Sequence, residues 1–258
     1  MAFFERVSES SFRATEHVSG AWNLAEQHIA PALGLLVHVV ETDLAARRDD
    51  PMVVGRLSYD ILGTLPVDIV DCTVSVLRPG RTIELVEARL GHGGRDAVIL
   101  RCWLMQPGDT EALAGTPLQP LPSRESLPPW HAAGVWQGGF IASTEVHREA
   151  PEVGRARLRV RSTQDLVEGE QVSPLAHLCR LLDIANGMAV RADPREVLFP
   201  NLDLTAHFFT QPRGEWLGLD TTVSFGPGGV GLTSSILHDE NGPFGTLAQV
   251  LTVRPLTS

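Results

Sequence analysis

The chain is poor in the features that mark several common function classes. Its 258 residues include three cysteines, Cys72, Cys102 and Cys179. They lie far apart without metal-ligand spacing, so each reads as a lone buried thiol in a reducing compartment. Charged residues make up 20% of the chain and form no long run of one sign. With a formal net charge of −10, this excludes the basic footprint of a nucleic-acid binder. The opening residues, MAFFERVSES, have no basic segment followed by an apolar one and do not read as a secretory signal. No apolar run is long enough to span a bilayer; the longest, 29–40, covers about twelve residues and reads as a buried helix. The expectation is a soluble cytoplasmic protein with neither nucleic-acid nor membrane partners.

Familiar catalytic signatures are missing too. There is no G-x-S-x-G elbow, Walker loop, G-x-G-x-x-G after a strand, or H-E-x-x-H. The nine histidines form no metal-ligand pattern. A Ser-His-Asp hydrolase, a nucleotide-binding fold and a zinc enzyme are all disfavoured.

What is present is a pattern written twice. A proline-rich polar stretch, GTPLQPLPSRESLPP at 115–129, splits the chain near its middle. Each half has one apolar helix, expected over 26–46 and over 174–191, the second with Ser173 as N-cap and Pro174 at the tolerated first position. About four strand-like runs follow each helix, at 53–65, 69–77, 82–90 and 97–105, then 199–210, 216–225, 231–238 and 245–253. SYDILGTLP lies over LTAHFFTQP, bringing Pro66 onto Pro212. Past the next turn, HGGRDAVILRCW lies over ENGPFGTLAQVL, bringing Gly94 onto Gly242. A long apolar helix with about four antiparallel strands buries its circumference when a curved sheet wraps it, which is the hotdog arrangement. The expected fold is therefore α+β, a tandem double hotdog with two long central helices in one continuous antiparallel sheet. Its domains are 1–114 and 133–258, joined by a linker at 115–132. Pairing edge to edge would remove two exposed edges.

Three places could carry chemistry. In FPNLDLTAHFF, strand alternation sets Asn201, Asp203, Thr205 and His207 on one face. Such a face is also what a half-exposed strand shows to water. Asp203 aligns with Leu57 of the first copy, so the carboxylate is peculiar to one half. In GTLAQVLTV, Gln249 lies in an apolar run and needs hydrogen-bond partners, whether structural or functional. Arg101 aligns with it, which suggests a polar pocket shared between the halves. Thr222 and Ser224 share a face beside a turn, where hydroxyls are commonly caps.

At these residues the chain resembles the TesB-like acyl-CoA thioesterases, a double-hotdog family. FPNLDLTAHFFTQPRGEWLGLDTTVSFGPGGVGLTSSILHDENGPFGTLAQVLTV carries the likeness most clearly. VSGAWNLAEQHIAPALGLL and LRPGRTIELVEARL carry it more faintly. The resemblance implies hydrolysis of a fatty acyl-CoA to free acid and CoA, with no metal or organic cofactor. It implies Asp203 as general base on water, with Gln249 and Ser224, or Thr222 in its place, orienting that water. It also implies backbone amides at the start of the first helix, near His28, Ile29 and Ala30, for the developing oxyanion. The family commonly has a Gly-Gly pair there. This chain has Ile29 and Ala30, followed by Pro31, which has no N–H. That departure keeps open a non-catalytic protein binding an acyl-CoA or another apolar ligand. A hydratase is disfavoured: no Asp and His pair follows the first helix, and Asp183 and Asn186 near the second lack the His. Apolar sheet edges leave homo-oligomers open.

Overall fold

The computed structural model describes residues 1–256. The N-terminal half contains β1 (Ala2–Arg6), β2 (Ser11–Ala14), α1 (Ile29–Arg47), β3 (Val53–Ile61), β4 (Ile69–Arg78), β5 (Ile83–His92) and β6 (Arg95–Met105). The next segments are β7 (Pro129–Trp130), α2 (Gly139–Ala142), β8 (Thr144–Glu152), β9 (Arg155–Ser162), β10 (Asp165–Val167), α3 (Pro174–Cys179) and α4 (Ala185–Met188). β11 (Val197–Leu198), β12 (Asp203–Phe208), β13 (Leu217–Phe225), β14 (Val230–His238), β15 (Pro243–Thr252) and β16 (Arg254–Pro255) complete the chain.

Fourteen strands form one sheet, in the order β10-β1-β2-β4-β5-β6-β3-β12-β15-β14-β13-β9-β8-β7. Reading outward from the centre, β3-β6-β5-β4-β2-β1 mirrors β12-β15-β14-β13-β9-β8, in sheet order and in chain order alike. This is the duplication expected from the sequence. The halves join where β3 pairs antiparallel with β12, Tyr59 opposite Leu204. β10 crosses over to pair with β1, the one parallel pairing among the described residues.

α1 is the one helix among the described residues long and apolar enough to cross a bilayer. It is instead the core helix of the wrapped sheet, with Leu33, Leu35 and Leu36 fully buried. Each such leucine contributes about 1.5–3 kcal/mol by leaving water. The helix stops in the polar run Arg48-Asp49-Asp50 before Pro51, which disfavours helical geometry in the residue ahead of it.

The second central helix is not continuous. Ser173 caps α3, its Oγ accepting from the Ala176 N–H at 3.0 Å, and Pro174 opens it as expected. α3 ends at Cys179, and a 3-10 turn at Leu182–Ile184 and α4 follow. The interruption falls at Arg180, which is fully buried. Its guanidinium is bonded to the Gln164 and Ser162 carbonyls and to His177, so it anchors the chain to the β9–β10 connection. α3 presses on α1 at Gly34, where a Cβ would stand 2.7 Å from Arg180 Cβ and 2.8 Å from the Ala176 carbonyl.

The internal alignment is one residue out of step across the central strands. Leu57 is fully buried, whereas Asp203 begins β12 on its partly exposed face. They cannot be equivalent. Likewise Arg101 is on the outer face of β6, paired with Glu87 at 3.1 Å, while Gln249 points inward and is 1% exposed. Leu57 faces Cys102 and Thr205 faces Ala248, so Cys102 holds the inward place that Gln249 holds on β15. A one-residue slip turns every strand side chain to the other face. The shared polar pocket inferred from Arg101 and Gln249 therefore does not exist.

Candidate active site

A pocket of about 310 Å³ opens between the start of α1 and the broken helix of the second half. Its walls include His28 and Ile29 from the first half, and Asp183, Ile184, Met188 and Asn201 from the second.

Asp183 is the pocket's buried carboxylate, 7% exposed. It sits on the 3-10 turn where the helix is interrupted. Asn201 Nδ2 donates to its Oδ1 at 2.6 Å, and Gln249 Nε2 donates to the same oxygen at 3.2 Å. Oδ2 is left facing the start of α1, 3.9 Å from His28 Nδ1. Burial pushes the Asp183 carboxyl up from 3.8 to about 7, against the opposing effect of the Asn201 and Gln249 hydrogen bonds. A carboxylate that titrates near neutrality can both take and return a proton.

The donors come from β-structure. Gln249 is on the inward face of β15 and is not among the pocket-lining residues; it touches Asp183 from behind. Its Oε1, like Thr233 Oγ1 on the facing strand, is buried without a partner among the described residues. Asn201 precedes β12. The chain bends at Leu202, so Asn201 turns inward while Asp203, two residues on, does not. Asn201 Nδ2 also donates to the Asp203 carbonyl at 3.1 Å, which fixes that bend.

His28 caps α1, its Nδ1 accepting from the Ala30 N–H at 3.2 Å. Burial lowers its pKa to about 3, so the ring is neutral. With Nδ1 used as an acceptor, the ring proton resides on Nε2. The ring packs on Phe140 at 4.4 Å between centroids. The Ala30 N–H is thus occupied, Ala30 is fully buried, and Pro31 has no N–H. The Ile29 N–H, the first of the helix, has no partner among the described residues.

The site residues read from the sequence therefore divide. His28, Ile29 and Gln249 converge on this region. Asp203 does not: its Oδ1 accepts from the Val250 N–H at 2.6 Å, and its side chain serves the neighbouring strand. Ser224 and Thr222 are exposed on the outer face of β13, and Ala30 is packed away from the pocket. Sequence reasoning misses Asp183 and Asn201. The available signal was a lone carboxylate inside the apolar run LLDIA, which had to be either neutralised or bonded. Among the described residues no cluster of His, Cys, Asp or Glu is placed to hold a metal.

The chain is a double hotdog with a buried carboxylate facing the start of its first helix. Residues 18–105 match the N-terminal domain of the acyl-CoA thioesterase family, and residues 118–253 match its C-terminal domain. The chain belongs to that family. No curated protein sequence matches it. Among solved structures, a hot dog fold protein of unknown function from Alicyclobacillus acidocaldarius superposes with a TM-score of 0.77 at 10% identity, covering 98% of this chain and 96% of that one. A tesB protein of Mycobacterium avium subs. paratuberculosis gives 0.70 at 17% identity, with 98% and 96% covered. The acyl-CoA thioesterase II TesB2 of Mycobacterium marinum gives 0.66 at 15% identity, with 99% and 96% covered. At these identities the likeness speaks for the fold.

Proposed function

We propose that this chain hydrolyses acyl-CoA thioesters with a water activated by Asp183. The observation that carries the reading is the asymmetric use of that carboxylate. Both amide donors hold Oδ1, so Oδ2 is the basic oxygen on the pocket side. A water within reach of Oδ2 attacks the thioester carbonyl carbon as Asp183 takes its proton. The oxyanion that forms is met by the Ile29 N–H and the His28 Nε2–H. When the tetrahedral intermediate collapses, the C–S bond breaks and Asp183 returns the proton to the departing sulfur. Free acid and CoA thiol leave, and the carboxylate is regenerated.

In this scheme Asp183 is the catalytic base. Gln249 and Asn201 are positioning residues that hold the carboxylate and depress its pKa. The general-base role that the resemblance implied for Asp203 passes to Asp183, and Ser224, on the outer face of β13, has no part in the scheme. The test is release of CoA thiol from a set of acyl-CoAs, read with a thiol-reactive dye. Wild-type protein should release CoA, and Asp183→Asn should lower kcat by about 10²–10⁴-fold, the usual worth of a general base. An undiminished rate in the variant removes the proposal.

A further inference from the structure

We propose that the pocket admits compact acyl groups, ring-sized or of medium length, and excludes long fatty chains, with tryptophan rings setting the limit. This rests on the thioesterase reading and names its substrate class. The polar groups of the pocket, His28, Asp183 and Asn201, lie together at the helix start. Gln27 and Asn186 add two buried amides, and the apolar part of the buried wall is Trp136 at 5% exposed, Ile141 at 3% and Met188 at 1%. Trp136 forms part of that wall and is held in place. Its Nε1–H donates to the Gly187 carbonyl at 2.9 Å, and a Cβ on Gly187 would lie 3.3 Å from the indole. Trp22 packs edge-on against Trp136 at 4.9 Å and against Phe199 at 5.4 Å, so the rings brace one another along that wall.

Volume then decides. The pocket's 310 Å³ is at the small end for ligand sites. An apolar cavity of about 150 Å³ takes one benzene ring, so this pocket takes on the order of two such groups, about a dozen heavy atoms, including the thioester and the attacking water. A palmitoyl chain alone has more carbons than that. A benzoyl or hexanoyl group fits, and edge-to-face rings offer an aromatic guest favourable contacts.

The experiment uses acetyl-, hexanoyl-, benzoyl-, decanoyl- and palmitoyl-CoA, each below its micellar range. CoA release by the wild-type chain is one readout; calorimetric binding to Asp183→Asn is the other. Both should be strongest for hexanoyl and benzoyl and fall by about tenfold or more at palmitoyl. Trp136→Ala should recover palmitoyl relative to hexanoyl by about fivefold or more. Trp22→Ala, at a ring 44% exposed and so tolerant of change, should do the same in smaller measure. Palmitoyl handled as well as hexanoyl by the parent proteins overturns the proposal, as does an unmoved ratio in folded tryptophan variants. The expected order in binding, with no release from wild type, supports the pocket and removes the hydrolase reading alone.

Discussion

The two halves share a topology and differ in what they turn inward. The first half faces its core with Leu57, Val86, Leu100, Cys102 and Leu104, all buried, around an unbroken 19-residue helix. The second half buries Thr221, Thr233, Ser235 and Gln249, and its helix is broken where Asp183 stands. Polar groups inside a core destabilise it unless bonded. Some of these are: Thr221 and Ser235 hydroxyls lie 2.7 Å apart, and Gln249 reaches Asp183. A duplicated unit can thus divide its labour. One copy keeps the best packing and lends a helix start. The other accepts a poorer core around a buried carboxylate, Asp183, which the proposed mechanism uses as its base.

The largest effect that would break this comparison is at the carboxylates. Asp183→Asn should remove most of kcat, whereas Asp203→Asn should leave kcat/KM within about threefold, because Asp203 serves only a strand contact. Equal losses would show that the outward carboxylate matters as much as the inward one. Gln249→Leu should lower kcat by about 10–100-fold and raise the midpoint of the pH–rate profile, since its N–H stabilises the ionised Asp183. Its first-half counterpart, Cys102→Ala, should change stability by about 1–2 kcal/mol and leave that midpoint alone.

The pH dependence follows from the same group. Asp183 has an ordinary value near 3.8 when unfolded and about 7 when folded. The folded state therefore holds the proton more tightly. The stability this contributes is complete below about pH 4 and is lost as pH rises to about 7. Asp183→Asn cannot ionise, so its stability relative to wild type should rise across that window by up to about 4 kcal/mol. Activity should run the other way, with kcat/KM climbing to a plateau above about pH 7 as the base ionises. Thermal melts and rates over pH 4–9 check both, and a rate that falls across neutrality would contradict Asp183 as the base.

A smaller effect concerns how the halves lock. Gly→Ala inside a helix ordinarily stabilises by about 0.5–1 kcal/mol. At Gly34 the added methyl would meet the backbone of α3 at 2.8 Å. Gly34→Ala should instead destabilise by about 1–3 kcal/mol and reduce kcat, because α3 leads directly into Asp183. A raised melting temperature would mean that the helices can move apart without disturbing the site.

Architecture was legible in the sequence because it depends on periodicity and punctuation. All four strands expected after α1 form, as do the four expected in the second half, and the Ser173-Pro174 cap is where the residue types put it. The continuity of the second helix was not legible. Its apolar pattern runs on past Cys179, and the break depends on a buried Arg180 reaching carbonyls 16 and 18 residues away. Tertiary bonds of that kind leave no local periodicity. The candidate site was partly legible: Gln249 is an amide in an apolar strand, and it reaches Asp183. Asp203 misled because a single bend at Leu202 separates it from Asn201, and alternation alone extends the strand straight through.

The mildest change tests the register itself. Arg101 aligns with Gln249 in the sequence repeat, yet its side chain is 49% exposed and pairs with Glu87 on the outer face. With the arginine half in solvent and the Glu87 side chain 7% exposed, the pair contributes about 1 kcal/mol. Glu87 also accepts from Arg89 at 2.7 Å, so it keeps a partner when Arg101 is removed. Arg101→Ala should therefore shift the melting temperature by at most a few degrees and leave kcat and its pH midpoint where they are. If Arg101 instead shared a pocket with Gln249, its removal would uncover buried polar groups and move both. A loss of activity with intact folding would return the two positions to equivalence and make the inward turn of Gln249 a poor guide to which half holds the chemistry.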